Sequence, residues 1–366
     1  MRVAYDVTSL LDSRTGVGAF AREVLARITK ADGIDVVAYS VSWRGRDRVP
    51  SIVPAGVQRA RGVMAAQPLR QLWRRADWPP IEWWTGDIDL VHGPNFVVPP
   101  ARDAVQLATV HDLTCVRYPE LCTRDTRQYP GLIRRALQRG AHVHAVSQFV
   151  ADEVVSTFDV DASRVHVVAN GVDTVAAGDA AAGRARAGGD RYVLAIGTIE
   201  PRKDLPSLVR AFDELAADDG ELRLVVAGQD GWGAAAFTDA VTGARHRDRV
   251  VRTGFVDDRT RADLLAGASV FAYPSKYEGF GLAPLEAMAS GVPVVTTSAG
   301  ALPEVLGDAA LLVAPGDVGA LRDAIGTVLT DSRRRDALIT AGRARAARFS
   351  WDACADGLVA LYQRLC

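Results

Sequence analysis

Short apolar runs alternate with longer stretches of helical period along nearly the whole chain, the pattern of parallel α/β layers. In the first half, strands are predicted near 2–6, 35–41, 88–92, 105–110, 142–146 and 164–168. Helices are predicted near 17–30, 124–139 and 148–157. A second set follows, with strands near 191–196, 222–227, 249–252, 269–273, 293–296 and 310–313. Helices near 204–217, 258–266, 281–290, 317–329 and 331–347 interleave with them. A last helix starts at the N-cap pattern Ser350-Trp351-Asp352 and runs to about Arg364. Between the sets, residues 174–190 hold glycine, alanine and arginine with no large apolar residue beyond Val175. This tract reads as an interdomain connection, with room for a helical turn but no means of burying a core.

The pattern therefore predicts two doubly wound parallel-sheet domains, 1–173 and 191–349, joined by 174–190. A length of 366 residues agrees, because one core rarely grows that far. Such sheets bind ligands at the carboxyl ends of their strands, and two facing sheets would create one deep cleft. A hydrophobic fraction of 48% with a net charge of −1 indicates a soluble globular chain and argues against a nucleic-acid partner. No apolar run reaches membrane-spanning length, and the first residues form a strand and not a signal peptide. Cys115, Cys122, Cys354 and Cys366 show no Cys-x2-Cys spacing, which suits reduced thiols in a cytoplasm.

The densest chemistry lies in Ser275-Lys276-Tyr277-Glu278-Gly279-Phe280-Gly281-Leu282-Ala283-Pro284-Leu285-Glu286, ahead of a helix that stops at Gly291. Gly279 and Gly281 let the backbone pass close to a ligand, and Pro284 suits a first helical turn. The helix N-terminus presents free N–H groups to an anion such as a diphosphate. Glu278 and Glu286, separated by seven residues in the chain, offer carboxylates to sugar and ribose hydroxyls. After the first strand of the second half comes Gly197-Thr198-Ile199-Glu200-Pro201-Arg202-Lys203, where adjacent cations would neutralise a diphosphate leaving group. His111, beside Asp112 at the carboxyl end of a first-half strand, is placed to donate to a hydroxyl or phosphate oxygen.

Thr15-Gly16-Val17-Gly18-Ala19-Phe20-Ala21 formally matches a dinucleotide fingerprint, which raises an NAD-dependent oxidoreductase as the competing reading. The context argues against it: some ten residues separate Gly16 from the preceding strand, and the expected acid, Asp35, starts a strand and does not end one. Asp87-Ile88-Asp89 and Asp159-Val160-Asp161 have the Asp-x-Asp form that can hold a divalent cation, but their context is that of turn and capping residues. His142 and His144 share one face of a strand and read as a structural pair.

Taken together, these motifs resemble the retaining glycosyltransferases of family four, which have the two-domain GT-B fold, and the resemblance covers nearly the whole chain. It implies that Lys203 and Arg202 grip the donor phosphates and that Glu286 holds the ribose. Glu278, with the backbone of Gly279, Phe280, Gly281 and Leu282, would hold the sugar and phosphates. It also implies that His111 contacts the donor, that Gly16 and Gly18 approach the diphosphate, and that Gly228 and Val256 border the nucleotide. Gly300-Ala301-Leu302-Pro303-Glu304 would close the pocket, Asn170-Gly171 would form part of the hinge, and the last helix, 350–366, would cross back onto the first domain. Thr198 departs from the family, where many relatives carry Arg. The implied reaction transfers a sugar from a nucleoside-diphosphate sugar to an acceptor hydroxyl with retention, without a metal or a dedicated protein base. The Glu-Pro-Arg-Lys and Tyr-Glu-Gly-Phe-Gly pair of motifs resembles bacterial mannosyltransferases, making GDP-mannose the leading donor. A relative that binds a sugar nucleotide without turning it over is the other reading of the same motifs.

Between Trp43 and Arg75 stand eight arginines against one aspartate, with Trp78, Trp83 and Trp84 following. Two readings stand for this segment: an anionic membrane surface near a lipid-linked acceptor, or a solvated region whose tryptophans pack locally.

Overall fold

The apolar runs pair as parallel strands in two separate sheets, in a computed structural model that describes residues 1–11, 16–43, 45–62, 64–173 and 177–366. Thr15 of the glycine motif and Thr174, Val175 and Ala176 of the Gly/Ala tract lie outside the described residues. One unit comprises Met1–Gly171 with Ser350–Cys366, and the other Val172–Phe349.

In the first unit the strands are β1 (Arg2–Asp6), β2 (Asp35–Tyr39), β3 (Gln58–Arg59), β4 (Leu90–Gly93), β5 (Val105–Val110), β6 (His142–Ala145) and β7 (Val165–Val167). They lie in the order β3-β2-β1-β4-β5-β6-β7. Helices α1 (Gly16–Ile28), α2 (Ala66–Trp73), α3 (Tyr129–Gln138) and α4 (Gln148–Phe158) connect them. Val3, Ala4, Tyr5, Leu90, Val91, Leu107, Val143 and Ala145 are almost wholly buried, as strands covered on both faces require. The helix predicted at 124–139 begins only at Tyr129, because Pro130 is tolerated in a first turn and not further in.

The C-terminal helix, Trp351–Leu365, belongs to this first unit. Ser350 caps it, accepting from the N–H of Ala353 at 3.1 Å. Trp351, Cys354, Ala355, Leu358, Leu361 and Tyr362 form its buried stripe, and it packs on α1. Its Tyr362 ends a buried chain of polar groups that crosses three strands. The phenol oxygen lies 2.6 Å from Nδ1 of His92, and Nε2 of His92 lies 2.7 Å from Oγ1 of Thr109. That hydroxyl lies 2.9 Å from Nδ1 of His144, whose Nε2 meets the carbonyl of Val168 at 2.8 Å. A carbonyl only accepts, so His144 carries its hydrogen on Nε2, and Nδ1 must accept from Thr109. Thr109 then accepts from Nε2–H of His92, and Nδ1 of His92 accepts from Tyr362. With both rings kept neutral by burial, that one carbonyl sets the direction of all four bonds. Burial holds His92 well below its ordinary range and His144 at about 4, and the neighbouring rings add to the depression.

The second unit contains β8 (Arg191–Ile196), β9 (Leu222–Ala227), β10 (Val250–Gly254), β11 (Val270–Tyr273), β12 (Val294–Thr297) and β13 (Ala310–Val313), in the order β10-β9-β8-β11-β12-β13. Its longer helices are α5 (Ala180–Ala187), α6 (Leu205–Asp218), α7 (Ala234–Gly243), α8 (Asp258–Gly267), α9 (Leu282–Ala289), α10 (Val318–Thr330) and α11 (Ser332–Ala346). Strand order reverses between β8 and β11 here, and between β1 and β4 in the first unit. Those are the switch points at which such sheets take ligands.

The Gly/Ala tract corrects the connection read at 174–190. Asp179 caps α5, and the helix lies against α8 within the second unit. A Cβ on Gly178 would overlap the backbone of Ala262, and one on Gly183 the carbonyl of Asp263. The small residues that suggested a linker are the contact surface of two closely approaching helices, a role that hydrophobic patterning does not register.

Two outcomes follow from these packings. In a flexible connection Gly183→Ala would raise helix propensity at no cost. In the packed helix it should lower the stability of the second unit by about 1–3 kcal/mol, read by chemical denaturation. For the buried chain, the ring resonances of His92 and His144 should stay unshifted from about pH 8 down to about pH 5.5, and Tyr362→Phe should cost about 1–3 kcal/mol. The unfolded rings protonate near 6.5, so the stability they lend is full above that pH and is withdrawn as pH falls toward 4. Ordinary titration of either ring near pH 6.5 would contradict the directed chain.

Candidate active site

Glycines follow or close three strands of the second sheet. The N–H of Gly197 donates to Ala227 at 2.9 Å, and that of Gly228 to Gly254 at 2.8 Å. A Cβ on Gly228 would overlap the carbonyl of Gly197, so the ends of β8 and β9 approach as only glycine allows. Beyond them the loops remain stitched: Ile199 donates to Gln229 at 3.0 Å and Gly233 to Ile199 at 3.1 Å. This holds the Glu200-Pro201-Arg202-Lys203 turn in place at the carboxyl end of β8.

The loop after β11, across the switch point, brings Glu278 to that turn. Its Oε2 lies 2.7 Å from Nη1 of Arg202, and its Oε1 lies 2.7 Å from Nζ of Lys203. Arg202 also meets Glu200 at 2.7 Å and donates to the carbonyl of Tyr277 at 2.8 Å. Lys203 donates to the phenol oxygen of Tyr273 and lies 4.5 Å from that ring's centroid. A third loop supports Glu278 from behind: Ala301 donates to its carbonyl at 2.8 Å, and a Cβ on Gly300 would overlap its backbone. Burial would raise the Glu278 carboxyl, but Arg202 and Lys203 outweigh it and hold the group at about 2. Burial and the neighbouring Arg202 lower Lys203, against the pull of Glu278 and Glu200.

Gly281, at φ 106°, turns the chain into α9, whose first turn contains Leu282 and Pro284. Phe280 is buried edge-on against Phe349, at 5.7 Å between centroids. Glu286 lies on α9 and accepts from Nη1 of Arg261, on α8, at 2.8 Å. Burial raises its carboxyl, with Arg261 opposing. Val256 is half-buried between β10 and α8, a few residues before Arg261. The structure therefore gathers Glu278, Arg202 and Lys203 into one cluster and gives Glu286 a separate partner. Arg261, Glu200 and Tyr273 escaped the motif reading. Glu200 stood within the quoted turn, whereas Arg261 and Tyr273 carry no local signal.

In the first unit, Gly16 opens α1 and Gly18 is buried within it. His111 follows β5 at a strand's carboxyl end, with Phe20 edge-on at 5.1 Å and Phe96 at 5.8 Å. Phe96 itself holds a left-handed φ of 61° and stacks on Tyr129 at 4.9 Å. Nε2 of His111 donates to the carbonyl of Pro94 at 2.8 Å, and burial keeps the ring neutral. This corrects the donor role expected of its side chain. With its hydrogen committed to Pro94, the neutral ring presents Nδ1 as an acceptor, suited to a hydroxyl and not to a phosphate. Asp112 accepts from Thr114 N–H at 2.8 Å and orders the loop. Asp161 accepts from the N–H of Ser163 at 2.8 Å as a capping residue does, whereas Asp89 accepts from the N–H of Arg2 at 2.6 Å and ties the start of β1 to the residue preceding β4.

Comparison with known proteins matches residues 180–345 to the family model of glycosyl transferases group 1. Residues 14–176 match that of Glycosyltransferase Family 4. The O-antigen chain mannosyltransferase B of Escherichia coli is 28% identical over 391 residues, covering 100% of both chains. The MMP alpha-(1->4)-mannosyltransferase of Mycolicibacterium hassiacum is 36% identical over 253 residues, covering 68% of this chain and 57% of that one. Among solved structures, Anabaena Alr3699/HepE in complex with UDP and glucose superposes with a TM-score of 0.76 at 17% identity, covering 100% of both chains. The two sheets, the strand-end glycines and the cationic turn at the switch point thus coincide with matches across both halves, and the chain belongs to the family four, group 1 glycosyltransferases.

Proposed function

We propose that this glycosyltransferase is a retaining enzyme that moves mannose from GDP-mannose to a hydroxyl of a saccharide or glycolipid acceptor. The observation that carries the reading is the meeting of Glu278, Arg202 and Lys203 at the switch point between β8 and β11. The mannosyltransferases among its relatives support the sugar, while a structural neighbour bound to UDP and glucose keeps uridine nucleotides in the test.

In this reading the donor diphosphate lies against Lys203, Arg202 and the N-terminus of α9. Glu286 accepts from the ribose hydroxyls and Glu278 from the sugar hydroxyls. Val256 and Gly228 border the nucleotide. In the first unit, Nδ1 of His111 is the acceptor available to a sugar hydroxyl. As the bond from the anomeric carbon to the phosphate oxygen breaks, negative charge grows on the diphosphate, where the two cations stabilise it. The acceptor oxygen bonds to the same face of the anomeric carbon, and its proton passes to the departing phosphate. No protein base is required by that balance, and the chain's own cations and helix pole supply the charge that the leaving group needs.

The acceptor side is proposed to work at an anionic membrane surface on the cytoplasmic side. No helix of the described residues is long and apolar enough to cross a membrane. Trp78 and Trp83 are 53% and 57% exposed and touch edge to face at 5.1 Å, while Trp73 is buried and donates to Pro79. Exposed Arg59 and Arg61 precede them in the same unit, and the backbone of Arg61 donates to Trp84 at 2.8 Å. Exposed aromatic rings and exposed arginines within one segment are the chemistry of an interfacial anchor.

Thermal-shift titration with GDP, UDP, ADP, dTDP and NAD should show stabilisation by a nucleoside diphosphate, GDP first. Lys203→Ala should weaken it by at least about tenfold. Response to NAD alone would overturn the reading. Proton NMR of the transfer product should show the donor's anomeric configuration retained, and inversion would refute the retaining assignment. The protein should sediment with phosphatidylglycerol vesicles at low salt but not with phosphatidylcholine vesicles. Trp78→Ser with Trp83→Ser should abolish that sedimentation, and equal sedimentation of the double variant would contradict the anchor.

A further inference from the structure

Resting on that reading of the site, we infer that Glu278 is the internal counter-ion of the diphosphate site and drives release of the spent nucleotide. Both of its carboxylate oxygens are occupied by the cations assigned to the phosphates, at 2.7 Å each. Glu200 takes a further guanidinium nitrogen of Arg202, also at 2.7 Å. The four side chains are only 9–15% exposed, and their two positive and two negative charges cancel. The cluster is therefore not a waiting anion hole. Without counter-ions, two adjacent buried cations would be costly, and the glutamates remove that cost.

A diphosphate that enters must take cations from Glu278 or share them. While its ion pairs are in place Glu278 is ionised, because Arg202 and Lys203 hold its carboxyl at about 2 against its burial. What the carboxylate receives in exchange depends on which nucleotide has arrived. An intact donor brings sugar hydroxyls, which donate to the oxygens that the cations have left. A free nucleoside diphosphate brings no hydroxyl to that position and adds negative charge beside an uncompensated carboxylate. Glu278 therefore tolerates the substrate and repels the product, although both present the same diphosphate to Arg202 and Lys203. The same opposition keeps bare phosphate and pyrophosphate from occupying the site. Glu278 is thus assigned two tasks with opposite signs in one variant: its loss impairs transfer and tightens the product.

The test is calorimetric titration of wild type and Glu278→Gln with GDP and GDP-mannose, with UDP and UDP-glucose alongside. Glu278→Gln is expected to bind the free diphosphate roughly tenfold more tightly, a modest share of what one uncompensated charge at contact distance is worth. Its affinity for the intact sugar nucleotide should stay level or fall. Glu278→Asp, which keeps the charge but draws it back from the cations, should show the same sign at smaller size and serves if the glutamine variant does not fold. Equal or weaker binding of free diphosphate by both variants would overturn the counter-ion role while leaving the donor site standing. Failure of wild type and variants alike to bind any of the four nucleotides would overturn the donor site, and the inference with it.

Discussion

A carboxylate that gives one oxygen to a guanidinium and the other to an ammonium, nearly out of water, is the constraint around which the second unit is built. Its two cationic partners, and the Glu200 that pairs with one of them, come from a loop far from it in sequence, and each charge is tolerable only while the others stay within contact. The backbone bonds that tie the 197–203 loop to 228–233, and Glu278 to Ala301, are what keep them there. Glycine at 228 and 300 follows from the same demand, since a single added methyl would strike a neighbouring backbone. Packing and electrostatics around the cluster are consequently one arrangement.

The first unit solves a different problem with neutral groups. Its C-terminal helix arrives from the far end of the chain and has to dock in one register. An apolar stripe of Trp351, Cys354, Ala355, Leu358, Leu361 and Tyr362 supplies adhesion without much specificity. The chain from Tyr362 through His92, Thr109 and His144 to Val168 supplies the specificity, because its members are satisfied in one direction only. Buried rings that cannot accept a proton cheaply make this unit's stability depend on pH. In the other unit, Glu278 stays charged over the same range.

Much of the fold was legible because parallel strands covered on both faces leave apolar runs, and strand ends leave glycines. The cationic turn at 200–203 and the Glu278–Glu286 segment were legible for a similar reason: their chemistry is local, and its spacing survives in the chain. What escaped depends on partners remote in sequence. Arg261 meets Glu286 only through the packing of α8 beside α9, and nothing near position 261 advertises it. The acceptor role of His111 is decided by the carbonyl of Pro94, 17 residues away. Helix α7 buries Phe237 alone among its ten residues, too little for a periodic signal. The 174–190 tract misled because small residues serve loose connections and tight helix contacts equally well.

The Glu278 cluster at the β8–β11 switch point is proposed to receive the donor diphosphate. A crystal structure with GDP bound tests it most directly. Phosphate oxygens should lie within hydrogen-bond reach of Nζ of Lys203 and of Arg202, at the N-terminus of α9, with at least one ion pair of Glu278 opened. GDP bound elsewhere, with both Glu278 ion pairs intact, would contradict it.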